Sequence, residues 1–63
     1  MIRLELSEAE AATLRDVLES YVSDLRMEIA GTEEMGLREA LKAREAVLNG
    51  LIERLSAGLT RRP

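Results

Sequence analysis

The sequence contains no cysteine and no histidine, and these two absences exclude many kinds of functional site. Without cysteine the chain can form no disulfide and offers no thiolate nucleophile. Without histidine it lacks the most common general base near neutral pH and the most common metal ligand. The Glu-x-x-His motif of di-iron helical bundles is therefore impossible here. We expect no catalytic residue, no metal site and no cofactor.

Aromatic residues are scarce and long apolar runs are missing. The chain has one tyrosine, no phenylalanine and no tryptophan. No apolar stretch approaches the roughly 20 residues of a membrane-spanning helix. No basic segment followed by an apolar segment suggests export. We therefore expect a soluble cytoplasmic protein.

Positive charge is too sparse for a nucleic-acid surface. Nine Lys and Arg residues against twelve Asp and Glu residues give a formal net charge of −3. Residues 1–30 carry three arginines and seven acids, and residues 31–63 carry six basic and five acidic residues. Neither part has the strongly basic composition that phosphate contacts require. Nucleic acid is therefore not the favoured partner.

What the chain does contain is an abundance of leucine, alanine, glutamate and arginine, which is typical of helical bundles. Ahead of the helical part, residues 2–6 alternate between apolar and charged side chains. Ile2, Leu4 and Leu6 would lie on one side of an extended segment. This pattern predicts a short, half-buried strand.

A first helix is predicted over about residues 8–30. Ser7 and Glu10 form the S-x-x-E capping box that starts helices. Apolar residues then recur at steps of three and four, as on one side of an amphipathic helix. Gly31 is expected to end this helix as a left-handed cap.

A second helix is predicted over about residues 33–57. Thr32 can act as its N-cap. Gly58 is expected to follow its end, and residues 59–63 are expected to form a mobile basic tail. The apolar stripe shifts by two positions between the two helices, so one continuous helix would place the two stripes about 160° apart. A turn at Gly31 avoids this conflict and predicts an αα-hairpin.

The predicted fold is therefore all-α, with one helical-hairpin domain over residues 1–63 and a short strand at its start. A hairpin of this size cannot bury both apolar stripes, and small chains without disulfides or metals commonly oligomerise. We expect a homo-oligomer, with a dimeric four-helix bundle favoured over a tetramer. The two N-terminal strands could pair in such a dimer. The predicted oligomer interface consists of Leu14, Leu18, Tyr21, Leu25, Leu41, Arg44, Leu48, Leu51 and Leu55.

Arg44 interrupts the leucine stripe of the second helix between Leu41 and Leu48. A charge within an apolar stripe needs a partner or access to water. The candidate partners at the same level of the first helix are Tyr21, Asp24 and Glu28. We interpret Arg44 as a buried ion pair or hydrogen bond that fixes helix register. The alternative is a ligand or anion site inside the bundle.

Met27 and Met35 point away from both stripes near the tip of the hairpin. Exposed methionines can serve as adaptable contact points for a partner protein. Two scattered exposed apolar residues are the alternative interpretation.

The order of a short strand and a capped helix resembles the start of ribbon-helix-helix proteins. The resemblance covers the first dozen residues and rests on Ile2, Leu4, Leu6 and Ser7. It implies a dimeric DNA-binding regulator or antitoxin. The chain departs from the family where residues 18–22 continue the helix instead of turning, and where Glu5 would face phosphates. The favoured function is a structural or protein–protein interaction role for a small self-associating protein, with no catalysis; the DNA-binding regulator is the alternative.

Overall fold

The chain folds into a hairpin of two antiparallel helices in a computed structural model that describes residues 2–60. Helix α1 spans Glu8–Gly31 and helix α2 spans Met35–Thr60. The helices pack against each other along their length. The predicted helical hairpin is therefore confirmed.

The start of α1 is the predicted capping box. The Glu10 N–H donates to Ser7 Oγ at 3.2 Å, and the Ser7 N–H donates to Glu10 Oε1 at 2.8 Å. The Ser7 backbone N–H, and secondarily its side chain, lower the pKa of the Glu10 carboxyl, outweighing a small opposing effect of burial. The pattern S-x-x-E thus predicted both hydrogen bonds and the position of the first helical residue.

The strand predicted for residues 2–6 does not form in this chain. Residues 2–7 belong to neither a helix nor a strand. Ile2 is 94% exposed and Leu4 is 71% exposed. A strand requires a neighbouring extended segment to complete its hydrogen bonds, and between residues 2 and 60 the chain supplies no such segment.

The turn between the helices differs from the prediction because Thr32, rather than Gly31, ends α1. Gly31 remains helical, and no residue from 2 to 60 has a positive φ. The Thr32 N–H donates to the carbonyl of Ile29 at 3.2 Å, and Thr32 Oγ1 donates to the carbonyl of Glu28 at 2.6 Å. These bonds satisfy two carbonyls of the last turn, so the helix ends without a left-handed residue.

Helix α2 begins two residues later than predicted because Glu34, and not Thr32, caps it. The Glu34 carboxylate accepts hydrogen bonds from the N–H groups of Gly36 at 3.1 Å and Leu37 at 3.2 Å. Its carbonyl accepts the N–H of Arg38 at 2.9 Å. A carboxylate at this end also complements the helix dipole.

The end of α2 lies beyond its predicted position. The helix continues through Gly58 to Thr60, so Gly58 does not end it and residues 59 and 60 are not part of a tail. Leu59 is half-buried and extends the apolar stripe that contains Leu55. Burial of this stripe offsets the helix-weakening effect of one glycine. Residues 61–63 of the predicted tail lie outside the described part.

The core between the helices is thin. Within residues 2–60 the buried hydrophobic side chains are Val22, Leu25 and Ile29, all on α1, and Leu25 is 1% exposed. The chain exposes 5226 Å² of surface. A compact monomer of this mass would expose about 4,000 Å². The hairpin therefore leaves a large surface uncovered.

Candidate interaction surface

The two sides of the hairpin differ in chemistry. One side, which we call the apolar face, carries most of the large apolar side chains that the core does not bury. It comprises Ile2, Leu4, Leu6, Leu14, Val17, Leu18, Tyr21, Leu37, Arg44, Val47, Leu51 and Leu55. The other side, the polar face, carries an ion pair between Arg26 Nε and Glu45 Oε2 at 2.7 Å.

A groove in the apolar face lies between the ends of the helices that are far from the turn. Leu14 and Leu18 of α1 line it opposite Leu51 and Leu55 of α2. The N-terminal segment contributes Ile2, Leu4 and Leu6 to the same groove, and Arg54 stands at its edge. Residues 2–6, whose alternation predicted a strand, therefore place their three apolar side chains beside the helices. Their contribution to this groove was not predicted, although the alternation itself was the available signal.

Spacing along the helices extends the apolar face beyond this groove. Val17 lies one turn from Leu14 and from Tyr21, and Val47 lies one turn from Arg44 and from Leu51. All of these side chains are exposed except Leu14, which is half-buried. Tyr21 and Arg26 lie about 140° apart around α1, which separates the apolar face from the polar face.

Arg44 occupies the middle of the apolar face. Its Nη1 donates a hydrogen bond to the hydroxyl oxygen of Tyr21 at 3.2 Å, and both residues are exposed. This bond raises the pKa of Arg44, and the charge of Glu28 contributes in the same direction more weakly. Of the three predicted partners, Tyr21 therefore holds the guanidinium, and Asp24 is exposed.

The prediction that Arg44 is buried is wrong for a single hairpin. The stripe of α2 is broader than the contact with α1, so Arg44 lies outside that contact rather than between the helices. Its long side chain keeps the guanidinium near water while contacting Tyr21 across the hairpin.

The predicted interface residues divide into two groups. Leu25 lies in the core, and Leu41 and Leu48 are half-buried on the stripe of α2 that packs against α1. The remaining predicted residues lie on the apolar face; they are Leu14, Leu18, Tyr21, Arg44, Leu51 and Leu55. The surface that a second molecule could contact is thus narrower than the full stripe and includes the N-terminal segment.

Met27 and Met35 are 75% and 69% exposed. They lie near the turn and away from the apolar face, as their spacing predicted. Their use as contacts for a partner protein stays a prediction.

No group of three or more His, Cys, Asp or Glu side chains suited to a metal ion occurs within residues 2–60. Over the same residues, neither helix combines the length and the apolar character needed to cross a membrane. Comparisons with known protein families, characterised proteins and solved structures find no match.

Proposed function

We propose that this chain is a small self-associating helical protein with a structural or protein–protein interaction role and without catalysis. The observation that carries the proposal is the apolar face beside a core in which, among the described residues, three side chains are buried. In water such a face is unfavourable unless another surface covers it.

A second copy of the same chain is the occupant that fits this face. The hairpin exposes about 1,200 Å² more than a compact monomer of its mass. A stable protein–protein interface buries about 800 Å² from each partner. Two hairpins placed face to face would form a four-helix bundle in which each covers the other. Twofold symmetry requires that one surface be complementary to itself.

The N-terminal segments belong to the same proposal. Ile2, Leu4 and Leu6 stand beside the groove and are exposed in one chain. In the dimer they would be covered by the second hairpin or by its N-terminal segment. Pairing of the two segments would also complete the backbone hydrogen bonds that a single strand cannot make.

The proposal includes no catalytic step because the chain offers no histidine or cysteine to act as base or nucleophile near neutral pH. The hydroxyl and guanidinium of Tyr21 and Arg44 engage each other. Their position on an open face favours a role in recognition.

Sedimentation equilibrium over a range of concentrations tests the proposal. We expect a mass that rises from 7.0 kDa toward twice that value with concentration, and a melting temperature that rises in parallel. Leu51→Glu should shift the equilibrium strongly to monomer, because it places a charge on the apolar face.

Ala46→Glu is the matched control, since Ala46 is exposed on the outer surface of the same helix. It introduces the same side chain and should leave the equilibrium unchanged. A stable, folded monomer at micromolar concentration would refute self-association. Equal effects of the two variants would show that the apolar face is not the contact surface.

A further inference from the structure

Arg44 places a positive charge inside the apolar face. Leu37 and Leu51 lie seven residues before and after it, and therefore within about 20° of it around α2. All three side chains are exposed. The guanidinium donates to the Tyr21 hydroxyl, and among residues 2–60 it forms no ion pair with a carboxylate. That hydrogen bond uses one of its five N–H donors, so the group can bind a further acceptor.

A surface that covers the apolar face must supply a carboxylate to Arg44, because an unpaired charge is strongly unfavourable once water is excluded. A second copy that covers the whole face brings its own Arg44 close to the first, since Arg44 lies near the middle of the face in both copies. Like charges in contact oppose association. A helix of another protein with an acidic residue at this place carries no such penalty.

Glu28 adds a negative charge to the same face, nearer to the turn between the helices. It is exposed, and it lies seven residues from Tyr21, within about 20° of it around α1. The hydrogen bonds from Arg44 to Tyr21 and from Arg26 to Glu45 place the height of Arg44 between Tyr21 and Arg26 of α1. Glu28 therefore lies about one helical turn beyond Arg44.

Three features thus follow one another along the face: the apolar groove, the charge of Arg44 and the charge of Glu28. The groove includes Leu14 and Leu18 of α1, so the height of Arg44 lies about seven residues, or roughly 10 Å, from its middle. Glu28 lies roughly 7 Å further along. A helix lying on the hairpin matches these distances if one side carries leucines, an acidic residue about seven positions beyond them and a basic residue about four positions after that.

We propose that the apolar face binds an amphipathic helix of another protein, whose apolar side carries an acidic residue for Arg44 and a basic residue one turn further for Glu28. The proposal rests on the protein–protein interaction role proposed above and goes beyond self-association. The helix and a second copy use the same face, so binding of one excludes the other. Tyr21 holds the guanidinium in place, and the incoming carboxylate can accept two parallel hydrogen bonds from it.

Two synthetic peptides of identical composition test the order of charges. Each forms an amphipathic helix of about six turns. In the first, leucines on one side are followed by the acidic residue and then the basic residue at the spacing given above; in the second, these two residues are exchanged. We expect the chain to bind the first peptide at least ~10-fold more tightly, measured by fluorescence anisotropy of labelled peptide at trace concentration. The exchange sets like charges against Arg44 and Glu28.

Charge reversal on the hairpin tests which residues recognise the peptide. Arg44→Glu should remove the preference between the two peptides, because each then meets one like and one opposite charge. The double variant with Glu28→Lys should prefer the second peptide. Arg38→Glu is the matched control, since Arg38 is exposed and lies about 120° from Arg44 around α2. It should keep the original preference, and circular dichroism should show unaltered helices in all variants.

Sedimentation equilibrium separates this proposal from self-association. Saturation with the first peptide should convert dimers into complexes of one chain with one peptide. Failure to bind either peptide, equal binding of both, binding of peptide to an intact dimer, or an unchanged preference in the helical double variant would overturn helix binding and leave self-association standing. A chain that is monomeric without peptide but prefers the first peptide would refute self-association and support helix binding.

Discussion

Arg44 carries a charge into a stripe of leucines, and the structure explains how this position tolerates it. Its partner is the Tyr21 hydroxyl, a neutral acceptor that lies with it on the exposed side of the hairpin. Removing the guanidinium therefore leaves no buried carboxylate without a partner. The penalty expected from breaking a buried ion pair does not apply to the single hairpin.

We expect Arg44→Leu to preserve the helices and to leave the stability of the hairpin unchanged or raised. The apolar face would then be continuous, and it would lose the polar group that we interpret as fixing helix register. Circular dichroism should show unaltered helicity. Light scattering should show stronger association and a mixture of assemblies with different numbers of chains. A single dimeric species like that of the unaltered chain would contradict a role in alignment.

Glu10 gives the hairpin a defined dependence on pH. Its hydrogen bonds from Ser7 lower the pKa of the carboxyl below the ordinary value of 4.5. Because the folded pKa is the lower one, this stabilisation is complete above the ordinary pKa and is lost as pH falls through the folded pKa.

Thermal melts of the unaltered chain and Glu10→Gln should therefore differ most near neutral pH and converge in acid. Comparison with Glu10→Gln separates this effect from the titration of the other carboxylates. A constant difference in melting temperature over the whole pH range would show that the charge of Glu10 does not contribute to the cap.

At the scale of whole helices, the sequence predicted the features that depend on a local pattern of side chains. The capping box predicted the first residue of α1, and the apolar period predicted two helices and the turn between them. The other ends were misplaced by one to three residues because Thr32 and Glu34 cap them, while Gly31 and Gly58 continue helices. A glycine permits a left-handed cap but does not require one.

The candidate surface could be predicted only in part. Periodicity identifies a broad apolar stripe on each helix but does not say which half of it faces the other helix. Arg44 is the clearest example, since its heptad position predicted burial and the packing of α2 leaves it exposed outside the contact between the helices. The N-terminal side chains join the groove through contacts between distant parts of the chain, which no local pattern encodes.

Two glycines of α2 provide a matched test of helix propensity. A Cβ added at Gly50 would meet no atom within 4 Å, whereas one at Gly36 would approach Glu34 Oε1 to 2.9 Å. Gly50→Ala should raise the free energy of unfolding by roughly 0.5–1 kcal/mol. Gly36→Ala should gain less, because the Glu34 carboxylate that caps α2 must move. Equal gains in denaturant titrations would show that the cap adjusts freely.

For the molecule as a whole, the charge distribution opposes binding to duplex DNA. The net charge is −3, the exposed N-terminal segment carries Glu5 as well as Arg3, and α1 exposes the acidic residues Glu10, Asp24 and Glu28. We expect no sub-micromolar binding to duplex DNA at low or moderate salt, measured by fluorescence anisotropy. A tight, salt-sensitive complex would favour the DNA-binding regulator suggested by the resemblance to ribbon-helix-helix proteins.

The thin core also governs how long the chain survives in the presence of a protease. Within residues 2–60 three side chains are buried, so we expect the hairpin to open frequently and cleavage to follow the open fraction. In the proposed dimer, pairing would lower that fraction by mass action, so that each molecule would protect its partner. We expect the rate constant for cleavage, measured with the protease far from saturation, to fall as the protein concentration rises. This dependence on concentration should disappear in Leu51→Glu. The steady-state abundance of such a protein would rise more steeply than its rate of synthesis, because scarce molecules are degraded fastest.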